Sequence, residues 1–227
     1  MQKWLREVSI RSCMLVSPSI ISSDLRVLQN QIEECERHGA ASFHLDVMDG
    51  HFVPNLTMGP DIVKAVRKST ELPLEVHLMI DRPDRYYTKF AESGSDILLI
   101  HYESPVNLRG LFNNMKNEGL KYGLVINPGT EFREVSDLLD GTEILLIMSV
   151  HPGFSGQKFI DVTDKISEAS AFIKDNGLGT KIEVDGGINL ETGKKSAKAG
   201  ADILVSASYI FSGTIKERIG SLKRLTR

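Results

Sequence analysis

Residues 96–126 read DILLIHYESPVNLRGLFNNMKNEGLKYGLVI. A short apolar, β-branched run (96–101) leads into a helical stretch (107–118) that closes at Gly119, and a second apolar run (121–126) follows at once. Strand, helix, strand in that order is the unit of a parallel sheet, because parallel neighbours need a crossover that a helix supplies. The unit recurs in both directions along the chain. Further apolar runs stand at 16–20 (VSPSI), 42–46 (SFHLD), 75–79 (EVHLM), 144–149 (ILLIMS), 181–185 (KIEVD) and 203–206 (ILVS), eight in all. Helical stretches fill 23–38, 60–69, 83–93, 131–139, 161–176 and 190–199, and several close near a glycine, as at Gly39, Gly94, Gly177 and Gly200.

Eight strand–helix units within 227 residues predict an α/β fold, a single-domain (β/α)8 TIM barrel at the compact end of that fold's range. Residues 1–14 read as an N-terminal extension and 15–227 as the barrel. The rival, an open doubly wound sheet, would carry a Gly-rich G-x-G-x-x-G turn after its first strand, whereas here Ile20-Ile21-Ser22-Ser23-Asp24 follows.

Composition narrows the classes of function. The chain has 27 Lys and Arg against 30 Asp and Glu, and 41% of its residues are hydrophobic, the balance of a globular protein with a sizeable core. The few excess cations sit at the two ends: Lys3, Arg6 and Arg11 against Glu7, and Lys216, Arg218, Lys223, Arg224 and Arg227 against Glu217. The body is therefore acidic, which argues against a nucleic-acid footprint. The C-terminal cations read as the solvated face of a helix whose other face repeats Ile215, Ile219 and Leu222. Cys13 and Cys35 are too few for a disulfide framework, so a reducing, cytoplasmic setting is expected. No apolar stretch approaches the length of a membrane span, and the charges within residues 1–13 leave no room for the apolar core of a signal peptide.

In a barrel the reactive groups stand at the C-terminal ends of the strands. The second run continues Ser42-Phe43-His44-Leu45-Asp46-Val47-Met48-Asp49, and strand side chains alternate with period two, so His44, Asp46 and Met48 share a face. The third run ends Val76-His77-Leu78-Met79 and the seventh Glu183-Val184-Asp185. Two histidines and two aspartates on three strand ends form a ligand set suited to one divalent metal ion, Zn, Fe, Mn or Co, with coordination left for substrate oxygens. Two carboxylates also offer an acid and a base. Asp46 and Asp185 lie on strands three places apart around an eight-membered ring, an arrangement suited to inverting a stereocentre by removing a proton from one face and returning it to the other. A metal acting as Lewis acid would stabilise the enediolate formed between those steps.

Glycine-rich turns follow the late strands: His151-Pro152-Gly153-Phe154-Ser155-Gly156-Gln157 after the sixth, Asp185-Gly186-Gly187-Ile188 after the seventh, and Ser206-Ala207-Ser208-Tyr209 after the eighth. Backbone N–H groups exposed in such turns can grip a phosphate, and barrels often place one there. Met48, Met79 and Met148 read as a thioether wall over the substrate. His51, His101 and His151 are not assigned as metal ligands, and Asp49 reads as structural or as support for a ligand histidine. Lys121 and Lys181 begin their strands, which disfavours Schiff-base chemistry.

These residues resemble the ribulose-phosphate 3-epimerases, metal-dependent (β/α)8 barrels that interconvert D-ribulose 5-phosphate and D-xylulose 5-phosphate. The resemblance covers residues 15–213 and rests above all on His44-Leu45-Asp46-Val47-Met48-Asp49-Gly50-His51-Phe52-Val53-Pro54-Asn55, with Ser17-Pro18-Ser19-Ile20, Val76-His77-Leu78-Met79, Met148-Ser149-Val150 and Glu183-Val184-Asp185-Gly186-Gly187. It implies that His44, Asp46, His77 and Asp185 bind the metal. It implies that Asp46 accepts and Asp185 donates the proton in one direction, with roles exchanged in the other. It implies further that Ser19 and His77 touch the substrate, that Gly153, Phe154, Ser155, Gly156, Gly186, Gly187, Ala207 and Ser208 hold its phosphate, and that the protein forms a homo-oligomer. The chain departs from the usual family pattern at His151, Ser155, Ala207 and Tyr209. A 3-epimerase acting on D-allulose 6-phosphate is the alternative, and a non-catalytic sugar-phosphate-binding barrel a further one, disfavoured by the retained carboxylate pair.

Overall fold

Alternation along each strand decides how the sheet is used. Odd-numbered Phe43, Leu45 and Val47 and, two strands later, Leu98 and Ile100 belong to the layer between sheet and helices, while their neighbours point to the barrel axis. In the computed structural model, which describes residues 13–227, the strands are β1 (Leu15–Pro18), β2 (Phe43–Met48), β3 (Leu74–Met79), β4 (Ile97–His101), β5 (Lys121–Ile126), β6 (Ile144–Met148), β7 (Lys181–Asp185) and β8 (Ile203–Ser206). All neighbouring pairs are parallel, and β1 pairs with β8. The ring closes between β1 and β2 through a bridge joining Ser19 to His44 and a bond from the Ala41 N–H to the Val16 carbonyl at 2.8 Å. This is the expected (β/α)8 barrel.

The helices are α1 (Leu28–Arg37), α2 (Pro60–Arg67), α3 (Pro83–Glu92), α4 (Leu108–Asn117), α5 (Thr163–Asp175), α6 (Leu190–Ala199), α7 (Ser208–Phe211) and α8 (Ile215–Lys223). Proline in the first turn opens α2 and α3, and the Asn189 side chain caps α6 by accepting from the N–H groups of Glu191 and Thr192. The apolar stripe of α8 is buried as expected, with Ile219 and Leu222 fully enclosed. Residues 131–139, expected as a helix, instead form two 3-10 turns, Phe132–Glu134 and Ser136–Leu138. Val135 between them sits at φ −123°, outside the helical well, because the short segment buries Phe132, Val135 and Leu139 against the barrel rather than winding a regular stripe. The helical stretch expected from residue 23 likewise opens with a 3-10 turn, Leu25–Val27, and becomes α-helical only at Leu28.

Of the expected N-terminal extension, residues 1–12 lie outside the described residues. Met14 is 3% exposed and its N–H donates to the Leu225 carbonyl, so it belongs to the barrel floor. Cys13 and Cys35 are both free thiols, and burial pushes that of Cys35 up to about 12, which leaves it inert as a nucleophile. Among the described residues, no helix is long and apolar enough to cross a membrane.

The barrel interior is divided. On the side of β4, β5 and β6 it is aliphatic, filled by Ile97, Leu99, Val125, Ile144 and Leu146. On the side of β1, β2, β3 and β7 it holds Ser17, His44, Glu75 and Glu183, all fully buried. Gly123 of β5 keeps the aliphatic side close-packed: a Cβ there would stand 2.6 Å from Leu99 Cδ2 and 2.7 Å from the Ile144 carbonyl oxygen. Gly123→Ala is therefore expected to lower the unfolding free energy by about 1–3 kcal/mol through overpacking; urea denaturation with an unchanged midpoint would refute this account of the interior.

Candidate active site

The register between β2 and β3 sets Asp46 beside His77 and Met48 beside Met79. Because His44 stands two residues before Asp46 on the same face, two imidazoles and a carboxylate meet at one point near the barrel mouth. His44 Nε2 is 3.2 Å from His77 Nδ1, His77 Nδ1 is 3.2 Å from Asp46 Oδ1, and His44 Nε2 is 3.5 Å from the same oxygen. Asp185, at the end of β7, completes a cluster whose donor atoms all lie within 4.8 Å of one another. Metal–ligand bonds of about 2.0–2.1 Å put neighbouring donors about 3.0–3.4 Å apart, so the separations among His44, His77 and Asp46 suit one coordination sphere, with Asp185 within 4.8 Å of them. His44, Asp46, His77 and Asp185 can together hold a divalent metal ion.

Electrostatics separates the members of the cluster. Burial alone would push Asp46 up, but His44 and His77 beside it hold its carboxyl far below the usual range. Asp185 moves the other way: burial, reinforced by the Asp46 charge, pushes it up to about 7. Burial pushes His77 down to about 3, so it is the neutral imidazole that a metal requires. His44 is also disfavoured as a cation by burial, yet Asp46, Glu183 and Glu75 surround it and raise it well above the ordinary value. The surround that favours positive charge on His44 favours a divalent cation next to it. Below the cluster, His44 Nδ1 faces Glu183 Oε1 at 3.5 Å and Glu75 Oε2 at 3.8 Å. Glu183 is raised well above its usual range by burial and by Glu75, and the Ser17 hydroxyl donates to Glu75 at 2.6 Å.

A partly open cavity lies above the cluster. Ser19, Asp46, Met48, Met79, Met148, Gly153, Phe154, Ser155, Gly156, Asp185, Gly186, Gly187, Ala207 and Ser208 all line it. His44 and His77 do not reach its wall and have no accessible surface, so His77, also expected to touch substrate, stands behind Asp46. The Ser19 hydroxyl donates to Asp46 Oδ2. None of the lining residues is a lysine.

The supporting roles of Ser149 and Ser22 carried no signal in the residue pattern. Ser149 anchors the end of β7: its N–H donates to the Asp185 carbonyl at 2.7 Å and its hydroxyl to the Gly186 carbonyl at 2.6 Å. Gly186 and Gly187 have φ of +119° and +61°, and a Cβ on Gly187 would meet the Phe159 N at 2.7 Å, so the turn carrying Asp185 needs glycine at both positions. Asn55 donates to the Gly153 carbonyl at 2.7 Å, tying the loop after β2 to that after β6, and Ser155 shares a 2.8 Å hydrogen bond with Ser22. Tyr209 points away from the cavity; its hydroxyl meets Ser221 and the Arg218 guanidinium covers its ring. His51 and His151 are exposed, and His101 lies buried behind His77.

The pattern of the Ribulose-phosphate 3 epimerase family matches residues 15–211. The ribulose-phosphate 3-epimerase of Bacillus subtilis is 45% identical over 205 residues, covering 89% of this chain and 94% of its own. That of Methanocaldococcus jannaschii is 45% identical over 197 residues, covering 86% and 83%. The chloroplastic enzyme of Arabidopsis thaliana is 43% identical over 204 residues, covering 88% and 73%. Among solved structures, a 3-hexulose-6-phosphate synthase from Salmonella typhimurium superposes with a TM-score of 0.71 at 16% identity, covering 93% of this chain and 98% of that one, a likeness of fold alone. By fold and by relatives this is a (β/α)8-barrel isomerase of the epimerase class. The chain belongs to the ribulose-phosphate 3-epimerase family.

Asp49 proves structural rather than a partner of a histidine ligand. Its Oδ1 accepts from the N–H groups of His51 (2.8 Å) and Phe52 (2.9 Å), and its Oδ2 from that of Asp81 (2.8 Å). Burial pushes this carboxyl up, but those three donors hold it below the usual range. Asp49→Ala is expected to cost about 1–3 kcal/mol of stability by orphaning them. A carboxyl with a depressed folded-state pKa contributes fully above its unfolded value of about 4 and loses that contribution as pH falls through the folded value. The gap between wild type and variant should thus close in acid; urea titrations showing the same gap at neutral and acid pH would contradict the assignment.

Proposed function

We propose that the protein interconverts D-ribulose 5-phosphate and D-xylulose 5-phosphate, a step of the pentose phosphate pathway, by two-base proton transfer at C3 through a 2,3-enediolate. The observation that carries this reading is the placing of two carboxylates, Asp46 from β2 and Asp185 from β7, on the wall of one cavity. Two carboxylates flanking one bound sugar can serve as base and acid. Asp46 takes the C3 proton from one face of the sugar and Asp185 returns one to the other; in the reverse direction they exchange roles. His44, Asp46, His77 and Asp185 would hold a divalent ion, which would supply Lewis-acid stabilisation of the negative charge developing on the substrate oxygens.

The remaining residues position and enclose. The Ser19 hydroxyl, fixed by Asp46, lies on the cavity wall where it can meet a substrate oxygen. Met48, Met79 and Met148 close over the reacting carbons and keep water from the enediolate. Backbone N–H groups of the turns at 153–156, 186–187 and 207–208 grip the phosphate. Ser155 and Ala207, where the family usually has glycine, add only small side chains to that end of the cavity.

Turnover of D-ribulose 5-phosphate and of D-allulose 6-phosphate, measured before and after metal stripping and restoration with Fe²⁺, Mn²⁺, Co²⁺ or Zn²⁺, tests the reading. Metal-dependent preference for the pentulose is the expected outcome, and preference for the hexulose would move the assignment to the six-carbon substrate. Asp185→Asn should lower kcat by about 10²–10⁴-fold while inorganic phosphate still binds; full activity in that variant would refute the two-base scheme.

A further inference from the structure

His101 ends β4 inside the barrel and is fully buried, yet it is neither a member of the cluster nor part of the cavity wall. Its Nε2 lies 2.8 Å from Nε2 of His77, and its Nδ1 lies 3.1 Å from Glu103 Oε2. Glu103 is anchored in turn: its Oε1 accepts from the Asn127 N–H at 2.9 Å and from the Thr130 hydroxyl. The Phe52 ring packs on His101 with centroids 4.8 Å apart.

We propose that His101 and Glu103 are positioning residues of the metal centre, forming a one-way hydrogen-bonded chain that fixes which nitrogen of His77 faces the ion. The direction follows from counting protons, and it rests on the ligand set proposed above. His77 Nδ1 is the atom facing Asp46 and His44, so a metal there takes its lone pair and the ring proton stands on Nε2. Two nitrogens 2.8 Å apart share one proton, so His77 donates and His101 Nε2 accepts. The proton of His101 is then on Nδ1, aimed at Glu103, whose two oxygens only accept. A His101 turned the other way would place a donor against a donor or move the His77 proton onto the atom that binds metal. The chain therefore favours the His77 tautomer whose Nδ1 is free for the metal.

Titration of the metal-free protein with Co²⁺, read by visible absorption, tests this. His101→Leu should weaken Co²⁺ binding by roughly 10- to 100-fold, and Glu103→Gln, whose amide carbonyl can still accept from His101, should weaken it less. The melting temperatures of the metal-free variants provide the control: a merely structural role lowers them and leaves Co²⁺ affinity unchanged. Wild-type affinity in both variants would overturn the inference while leaving the ligand set standing, provided His44→Ala abolishes binding. Failure of the wild-type chain to bind Co²⁺ in a His44-dependent way would overturn both. In the zinc-loaded wild-type protein, long-range ¹H–¹⁵N spectra should show His101 as the Nδ1–H tautomer, and the Nε2–H tautomer would refute the chain without recourse to any variant.

Discussion

Charge placed inside a barrel has to be compensated where it stands, because desolvating an isolated carboxylate or imidazolium costs more than any single packing contact returns. Here Glu75, Glu183, Asp46 and Asp185 share the polar side of the interior with His44 and His77, against an aliphatic opposite side. Asp46 meets His77 across a strand boundary, and the parallel register of β2 against β3 is what makes the two coincide, whereas both oxygens of Glu183 lack a hydrogen-bond partner and Asp185 opens on the cavity. Slipping that register by one residue would turn every polar side chain of β2 into the apolar layer beneath the helices.

The same compensation explains why two aspartates of one site behave differently. Asp46 has imidazoles on two sides and a serine hydroxyl on a third, whereas Asp185 faces mostly the negative charge of Asp46 across the cavity. Identity of residue type thus says nothing about role; the neighbours decide it. A fold that carries one carboxylate in from β2 and the other from β7 gives them different neighbours as a matter of topology.

Much of this was legible in the sequence. Period-two alternation placed His44, Asp46 and Met48 on one face, and the repeated strand–helix text gave the barrel, because both depend on local pattern. The chain 131–139 was misleading since its apolar spacing fits a helix and a pair of 3-10 turns about equally well, and burial against the barrel chose between them. The roles of Ser149, His101 and Glu103 had no local signal. Each acts through a residue on another strand or loop, so it appears only once the strands are brought side by side. Asp49 read equally as structural or as support for a ligand histidine, and the choice between them required the loop after β3 to be in place.

The Asn55 amide that grasps the Gly153 carbonyl has a bearing on how such a protein can change over evolutionary time. Within fourteen consecutive residues, His44 to Thr57, the chain carries two candidate metal ligands, one wall of the cavity and the strap that secures the opposite loop, and Thr57 reaches back to the Asp46 carbonyl. A block with so many simultaneous duties is inherited as one piece, since altering any member disturbs the others. Freedom to accommodate a different sugar is then left to the far side of the cavity, at the turns after β6 and β8, where the small side chains of Ser155 and Ala207 line the wall.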